Sequence, residues 1–209
     1  FQLLMHVRHC GITNKHTMMN KLPIYINLYL SKLFADKIIY NSYFSRENHQ
    51  KIGFEKTKGK VIQNGFEKMN INKKTFNRKF KNKIVIGMLA RQNFIKDHIT
   101  LIKAFIEIFD DRKNLVLFLQ GAGLKNDREI KNLIKNKNIY ISSSLDKEYF
   151  YSQIDLHVLS SFGESFPNVV AESMQRKIIT ISSDVGDVKY MLPKDFIFKS
   201  ANKKELKKK

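Results

Sequence analysis

From residue 84 onward, short continuous apolar runs alternate with stretches whose apolar residues recur at helical spacing, and this alternation most constrains the fold. "IVIGMLA" (84–90), "LVLFLQ" (115–120), "IYIS" (139–142), "LHVLSS" (156–161), "IITISS" (178–183) and "FIFK" (196–199) each have the length and composition of a buried strand. Between them, "HITLIKAFIEIF" (98–109) places Ile99, Ile102, Phe105, Ile106 and Phe109 on one helical face. Further helices are expected around 126–136, over "KEYFYSQI" (147–154) and over "NVVAESMQ" (168–175). Strands apolar on both sides have no face to offer water, so the pattern predicts an α/β fold with a parallel sheet covered on both faces. Ligands of such sheets bind beyond the carboxyl ends of the strands. That rule directs attention to Arg91, the Gly121–Gly123 loop, Ser143, Glu164 and Asp184.

The first third alternates in the same way. "FQLLMHV" reads as a strand, 17–34 as a helix, "KIIYNS" (37–42) as a strand, "SRENHQKI" as a helix and "KVIQNG" (60–65) as a strand. Three strands are few for a doubly wound domain. The Lys- and Asn-rich stretch 67–83 reads as an interdomain linker. The expected organisation is therefore 1–66 as the C-terminal part of one domain, 67–83 as linker and 84–209 as a second, nearly complete domain. With 43% hydrophobic residues, including 16 Phe and 8 Tyr, the chain has enough apolar material for real cores. The single cysteine, Cys10, excludes an internal disulfide framework and suits a reducing cytosol. No apolar run approaches the roughly 20 residues of a membrane span. The chain opens at Phe1, which suggests a missing natural N-terminus.

The formal charge of +19 invites a nucleic-acid reading, but no zinc-finger spacing or RNA-binding signature accompanies it, so nucleic acid is not an expected partner. The densest clusters, "NKKTFNRKFKNK" (72–83) and "NKKELKKK" (202–209), lie between or after the apolar segments. They read as solvated linker and tail, or as an electrostatic footprint for anionic membrane or phosphate-rich ligands.

"SFGESFPNVVAES" (161–173) carries the most specific chemistry. Glu164 lies just past a strand and Glu172 on the following helix, with Pro167 suited to that helix's first turn. At a rise of about 1.5 Å per residue, Glu172 is only a turn or so along, within reach of the same cleft. Vicinal sugar hydroxyls are donors, and a carboxylate accepts two of them at once. Arg91 follows a strand directly and Lys96 lies a few residues later, before the helix, supplying cations suited to charge that develops on a ligand. Gly121 and Gly123 fit a tight turn with close backbone approach to a ligand. Ser165 reads as a simple cap of the following helix. "HVRH" offers His6 and His9 immediately after a strand, and His98 reads as structural. No D-x-D and no zinc spacing appear, so no metal site is expected.

"IGMLARQNFIKDHITLIKAF" (86–105), "LQGAG" (119–123), "LSSFGESFPNVVAESM" (159–174) and "ISSDVGDVKYML" (181–192) resemble, in order, the donor-binding half of a family 4 GT-B glycosyltransferase. "KIIYNSYFSRENHQKIG" and "KVIQNGFE" resemble the end of that family's acceptor domain. The resemblance implies a retaining, metal-independent transferase with two Rossmann-like domains. It would use a nucleotide-sugar as substrate, no cofactor, and a glycan or lipid-linked acceptor of bacterial surface polysaccharide synthesis. It implies that Glu172 binds the ribose, Glu164 the transferred sugar's hydroxyls, and Arg91 and Lys96 the diphosphate, and that Gly121 and Gly123 line a base pocket. Asn168 and Val169 would offer helix-start backbone groups near the phosphates, and a histidine, His9 or His6, would lie near the anomeric centre. The implied location is cytoplasmic, with peripheral contact at the inner face of the membrane. A GT-B sugar-nucleotide epimerase and a non-catalytic basic binding remnant are the alternatives.

Three features depart from the family pattern. Ser165 stands where the family has glycine, and "SMQRKIIT" (173–180) replaces a stretch of small residues, glycine and proline. The front of the acceptor domain and the final crossing helix are missing from the pattern, so the chain alone is expected to bind nucleotide but to transfer sugar poorly or not at all.

Overall fold

The computed structural model describes residues 2–10, 18–67, 77–109, 112–134 and 138–209. Leu4–Val7 (β1), Lys37–Tyr40 (β2) and Gly59–Val61 (β3) form a parallel sheet in the order β1-β2-β3. Met18–Phe34 (α1) connects the first two strands, and Tyr43–Lys51 (α2) the second two. Val7, Ile24, Ala35, Ile38, Tyr40 and Phe54 make the core of this unit. α2 begins two residues before the stretch read as helical because Ser42 caps it, its hydroxyl accepting from Ser45 N at 2.9 Å. α1 leaves Leu22, Tyr29, Leu33 and Phe34 exposed.

The second unit runs Ile84–Leu89 (β4), His98–Phe109 (α3), Leu115–Gln120 (β5), Arg128–Leu133 (α4), Ile139–Ser142 (β6), Lys147–Gln153 (α5), Leu156–Leu159 (β7), Asn168–Gln175 (α6), Ile179–Ser183 (β8), Ile197–Phe198 (β9) and Lys203–Leu206 (α7). Its six strands are all parallel, in the order β6-β5-β4-β7-β8-β9. This is the doubly wound order, in which growth of the sheet reverses between β4 and β7 and opens a crevice at their carboxyl ends.

β5 shows why both faces are covered. All six of its residues are buried. Leu115, Leu117 and Leu119 pack on the side of Leu101, Ile102 and Phe105 from α3. Val116 and Phe118 point the other way, against Phe80, Phe150 and Tyr151. The two-residue period of a strand thus feeds two cores. α4 is shorter than the helix expected around 126–136. Leu124–Asn126 form a separate 3₁₀ turn, and α4 starts after Asp127, whose carboxylate accepts from Ile130 N at 2.8 Å. Residues 135–137 lie outside the described ones.

Of the stretch read as linker, 68–76 lie outside the described residues. Its last part packs on the second unit. Arg78 pairs with Asp155, Lys79 N donates to Gln153 Oε1 at 2.6 Å, and the Phe80 ring lies 5.7 Å from that of Phe118. An apolar ring in a lysine-rich run is the physical reason.

The units meet along a seam beside the crevice. The Asp187 carboxylate, fully buried, accepts from Tyr43 N and Phe44 N, both at 2.9 Å, and from Gln63 Nε2 at 3.2 Å. A carboxylate at the start of α2 satisfies orphan helix donors and meets the positive end of the helix dipole. Asn64 Nδ2 donates to Asn168 Oδ1 at 2.7 Å, and Phe66 stacks on Phe166 at 6.1 Å.

Candidate functional site

Arg91 lies two residues past β4, on one wall of the crevice, with its side chain exposed. The loop that bears it is tied to the end of β5, Ala90 N donating to Gln120 O at 2.9 Å and Gln92 N to Ala122 O at 2.7 Å. Gly121 is required here because a Cβ would collide with the carbonyl oxygen of Ala90. Gly121 thus makes a close approach to the chain's own backbone at the end of β4. Gly123 has φ 83°, the left-handed region in which a side chain is strained, and turns the chain into the 3₁₀ turn.

Lys96 ends a 3₁₀ turn, Phe94–Lys96, whose start is fixed by Asn93 Oδ1 accepting from Ile95 N at 2.9 Å. Its Nζ lies 2.6 Å from Glu164 Oε1, and Ser161 Oγ donates to the same oxygen at 2.8 Å. The two side chains are 25% and 14% exposed, so the pair is largely withdrawn from water. Phe162 N donates to Ile95 O at 2.7 Å and keeps the loops in register. Lys96 thus meets a carboxylate in the free site.

His98 lies buried beneath, Nε2 3.3 Å from Ala90 O, and burial pulls its pKa down to about 4. It supports the Arg91 loop, as its structural reading expected. Cys10 lies beside the ion pair; burial pushes its thiol pKa up, and the Glu164 carboxylate adds to the rise. His9 follows β1, exposed, its ring edge-on to that of His49 at 4.6 Å and its carbonyl accepting from Ser45 Oγ at 2.7 Å. His6 lies within β1, opposite Ile39, so of the two only His9 stands beyond the strand end.

Asn168 and Val169 are the first two residues of α6, as the resemblance implied. Pro167 occupies the cap position and Ser165 does not cap the helix. Ser165 instead donates to Asn41 Oδ1 at 2.6 Å and lies 2.7 Å from Ser42 Oγ across the seam. Glu172 is held at both oxygens: Lys147 Nζ lies 2.6 Å from Oε1, and Tyr151 OH donates to Oε2 at 3.0 Å. Each glutamate in the crevice loop and its helix is therefore matched to a lysine. Among the described residues, no three His, Cys, Asp or Glu side chains converge as a metal site.

The sequence reading did not single out Asp187, Ser42, Asn41, Lys147 or Tyr151. Asp187 carried a signal, since it stands in "DVGD", within a motif already quoted. Asn41, Ser42, Lys147 and Tyr151 also lie in quoted stretches, but the partners that give them a role are remote in the chain.

Residues 70–209 match the family model described as glycosyl transferases group 1. The chain belongs to this family. Its fold is that of GT-B glycosyltransferases. Anabaena HepE, in complex with UDP and glucose, superposes with a TM-score of 0.85 at 20% identity, over 99% of this chain and 60% of HepE. An S. aureus TarM variant in complex with Fondaparinux, alpha-GlcNAc-glycerol and UDP gives 0.80 at 16% identity, over 100% of this chain and 43% of TarM. A glycosyltransferase from Rickettsia africae gives 0.73 at 18% identity, over 98% and 58%. At these identities the fold is what is shared. This group 1 chain spans about 60% of the length of HepE. No curated protein matches it significantly. None of its described helices is long and apolar enough to cross a membrane.

Proposed function

We propose that this chain carries the donor site of a retaining glycosyltransferase that moves a sugar from a nucleotide-sugar to a glycan or lipid-linked acceptor, in bacterial surface polysaccharide synthesis. One observation carries the reading: Arg91 stands just past β4, and the Lys96–Glu164 ion pair joins the loops after β4 and β7, the two strands between which growth of the sheet reverses. The UDP and glucose of the HepE complex support a nucleoside diphosphate sugar as donor, with UDP as the first probe.

The chemistry follows from charge. A donor brings a diphosphate for the Lys96 ammonium and sugar hydroxyls for the Glu164 carboxylate, so the ion pair exchanges partners on binding. Glu172 accepts from the ribose hydroxyls, and the backbone of Asn168 and Val169 at the start of α6 faces phosphate. Negative charge grows on the diphosphate as the anomeric C–O bond breaks, and Arg91 and Lys96 stabilise that charge more in the transition state than before it. The acceptor oxygen bonds to the anomeric carbon on the face the diphosphate leaves, and its proton passes to a phosphate oxygen of the leaving group. His9 contacts the sugar or the acceptor. The two cations take the part a metal plays elsewhere, so binding is expected to survive a chelator. The enzyme works in the cytoplasm, its lysine clusters giving peripheral contact with anionic membrane.

The test is calorimetric titration with UDP and UMP. UDP is expected to bind more tightly, and Arg91→Ala to erase most of the difference. Glu172→Gln is expected to weaken UDP binding by about 1–3 kcal/mol. Equal affinity for the two nucleotides in the unsubstituted chain would refute the diphosphate site.

A further inference from the structure

We propose that Tyr151 is a positioning residue of the donor site, its hydroxyl setting the Glu172 carboxylate at the angle from which it accepts from a vicinal diol. The inference rests on the reading of Glu172 as the ribose contact.

The two partners of Glu172 differ in kind. Lys147, the first residue of α5, has a side chain 54% exposed on a flexible stem, whereas the Glu172 side chain is 13% exposed. An incoming hydroxyl can replace such an ammonium, which returns to water. Tyr151 cannot leave. Its ring is 4% exposed, sits edge-on to Phe150 at 5.2 Å and His157 at 6.2 Å, and is covered by the Arg176 guanidinium at 4.4 Å. A phenol has two side-chain torsions, and packing of the ring leaves its oxygen in one place.

The terminal torsion of a glutamate is broad and roughly two-fold, so a free carboxylate samples many planes. The hydrogen bond from Tyr151 OH to Oε2 at 3.0 Å selects one of them; a second, longer contact to Val169 O at 3.3 Å anchors the same hydroxyl to the first turn of α6. Each carboxylate oxygen has two acceptor sites, so Tyr151 occupies one on Oε2 and leaves the other for a ribose hydroxyl. Burial, followed by the neighbouring Glu172 carboxylate, raises the Tyr151 pKa, which keeps the phenol a donor. Arg176 completes the frame, donating to the Glu172 carbonyl at 2.7 Å while pairing with Glu148. Fixing the acceptor before the ligand arrives removes an ordering cost from binding.

The experiment titrates the chain, Tyr151→Phe and Glu172→Gln with UDP and with its 2′,3′-dideoxy analogue. The unsubstituted chain is expected to prefer UDP by about tenfold or more, as for hydrogen bonds to a charged acceptor. Tyr151→Phe is expected to lose most of that preference by weakening UDP alone, the dideoxy affinity staying within about twofold of the original as the sign of an intact fold. An equal loss for both nucleotides would make Tyr151 a packing residue and overturn the inference. An unchanged preference in Tyr151→Phe, with Glu172→Gln abolishing it, would also overturn it while leaving the ribose role of Glu172 intact. No preference in the unsubstituted chain, or no UDP binding, would remove that role and this inference together.

Discussion

Ser165 Oγ donates to Asn41 Oδ1 at 2.6 Å, so the residue next to Glu164 is bonded to the end of the other unit's sheet. Ser42 Oγ, 2.7 Å away, completes a buried chain of polar groups. Ser165 thus pins the loop after β7 across the seam. Ser165→Gly is expected to lower stability by about 1–3 kcal/mol, since it leaves Asn41 and Ser42 buried without that partner. Urea unfolding of the two chains measures it, and an unchanged midpoint would mean that water replaces the hydroxyl at no cost.

Asp187 pins the same seam from the other side. Asp187→Ala strips an acceptor from Tyr43 N and Phe44 N at the start of α2 and is expected to cost about 2–4 kcal/mol. Ser165 meets the cap residue Ser42, and Asp187 meets Tyr43 N and Phe44 N, so the two substitutions act on one helix start. The double variant should lose less than the two single losses added together. Strict additivity in a double-mutant cycle would show two independent contacts.

Acid should destabilise the protein through its buried imidazoles. Burial lowers the pKa of His49 and His98 to about 4 and of His157 to about 3, against 6.5 for an ordinary histidine. Between those values the unfolded chain binds protons that the folded chain does not, so unfolding gains from them. The stability they contribute is fully present above pH 6.5 and is lost as pH falls toward 4. Unfolding free energies at pH 7 and pH 5 should differ accordingly, and His98→Gln should flatten the slope. A pH-independent stability across that window would contradict neutral burial of these rings.

Lys177, just past the Arg176 cap of α6, has φ 59°, a left-handed conformation that costs a side chain energy and suits glycine. Lys177→Gly is expected to stabilise the chain by about 0.5–1 kcal/mol, the relief of strain exceeding the added freedom of the unfolded chain. Thermal melting shows it as a rise in midpoint; a fall would mean that the lysine side chain makes a compensating contact.

The strands, most of the helices and the residues at strand ends were legible in the sequence because their signals are local. α6 spans Asn168–Gln175, the stretch "NVVAESMQ" read as helical, and β5 spans the run "LVLFLQ". Burial on both faces makes a strand continuously apolar, and one buried face makes a helix periodic, so each element declares itself within a few residues. The strand-end rule then placed Arg91 and Glu164 at the sheet's ligand edge without any knowledge of their neighbours.

Only the tertiary structure decided what each of these side chains touches. Lys96 and Glu164 are 68 residues apart, Lys147 and Glu172 25, and Ser165 and Asn41 124. Their meeting depends on β4 lying beside β7, and on α2 starting against the loop after β8. An apolar run says that a strand is buried but not which strand is beside it. Strand order is set by how the whole set of helices and loops packs at once, and a hydrogen bond across a seam leaves no period in the chain. For the same reason the sequence does not show that the Ala90 carbonyl lies against Gly121.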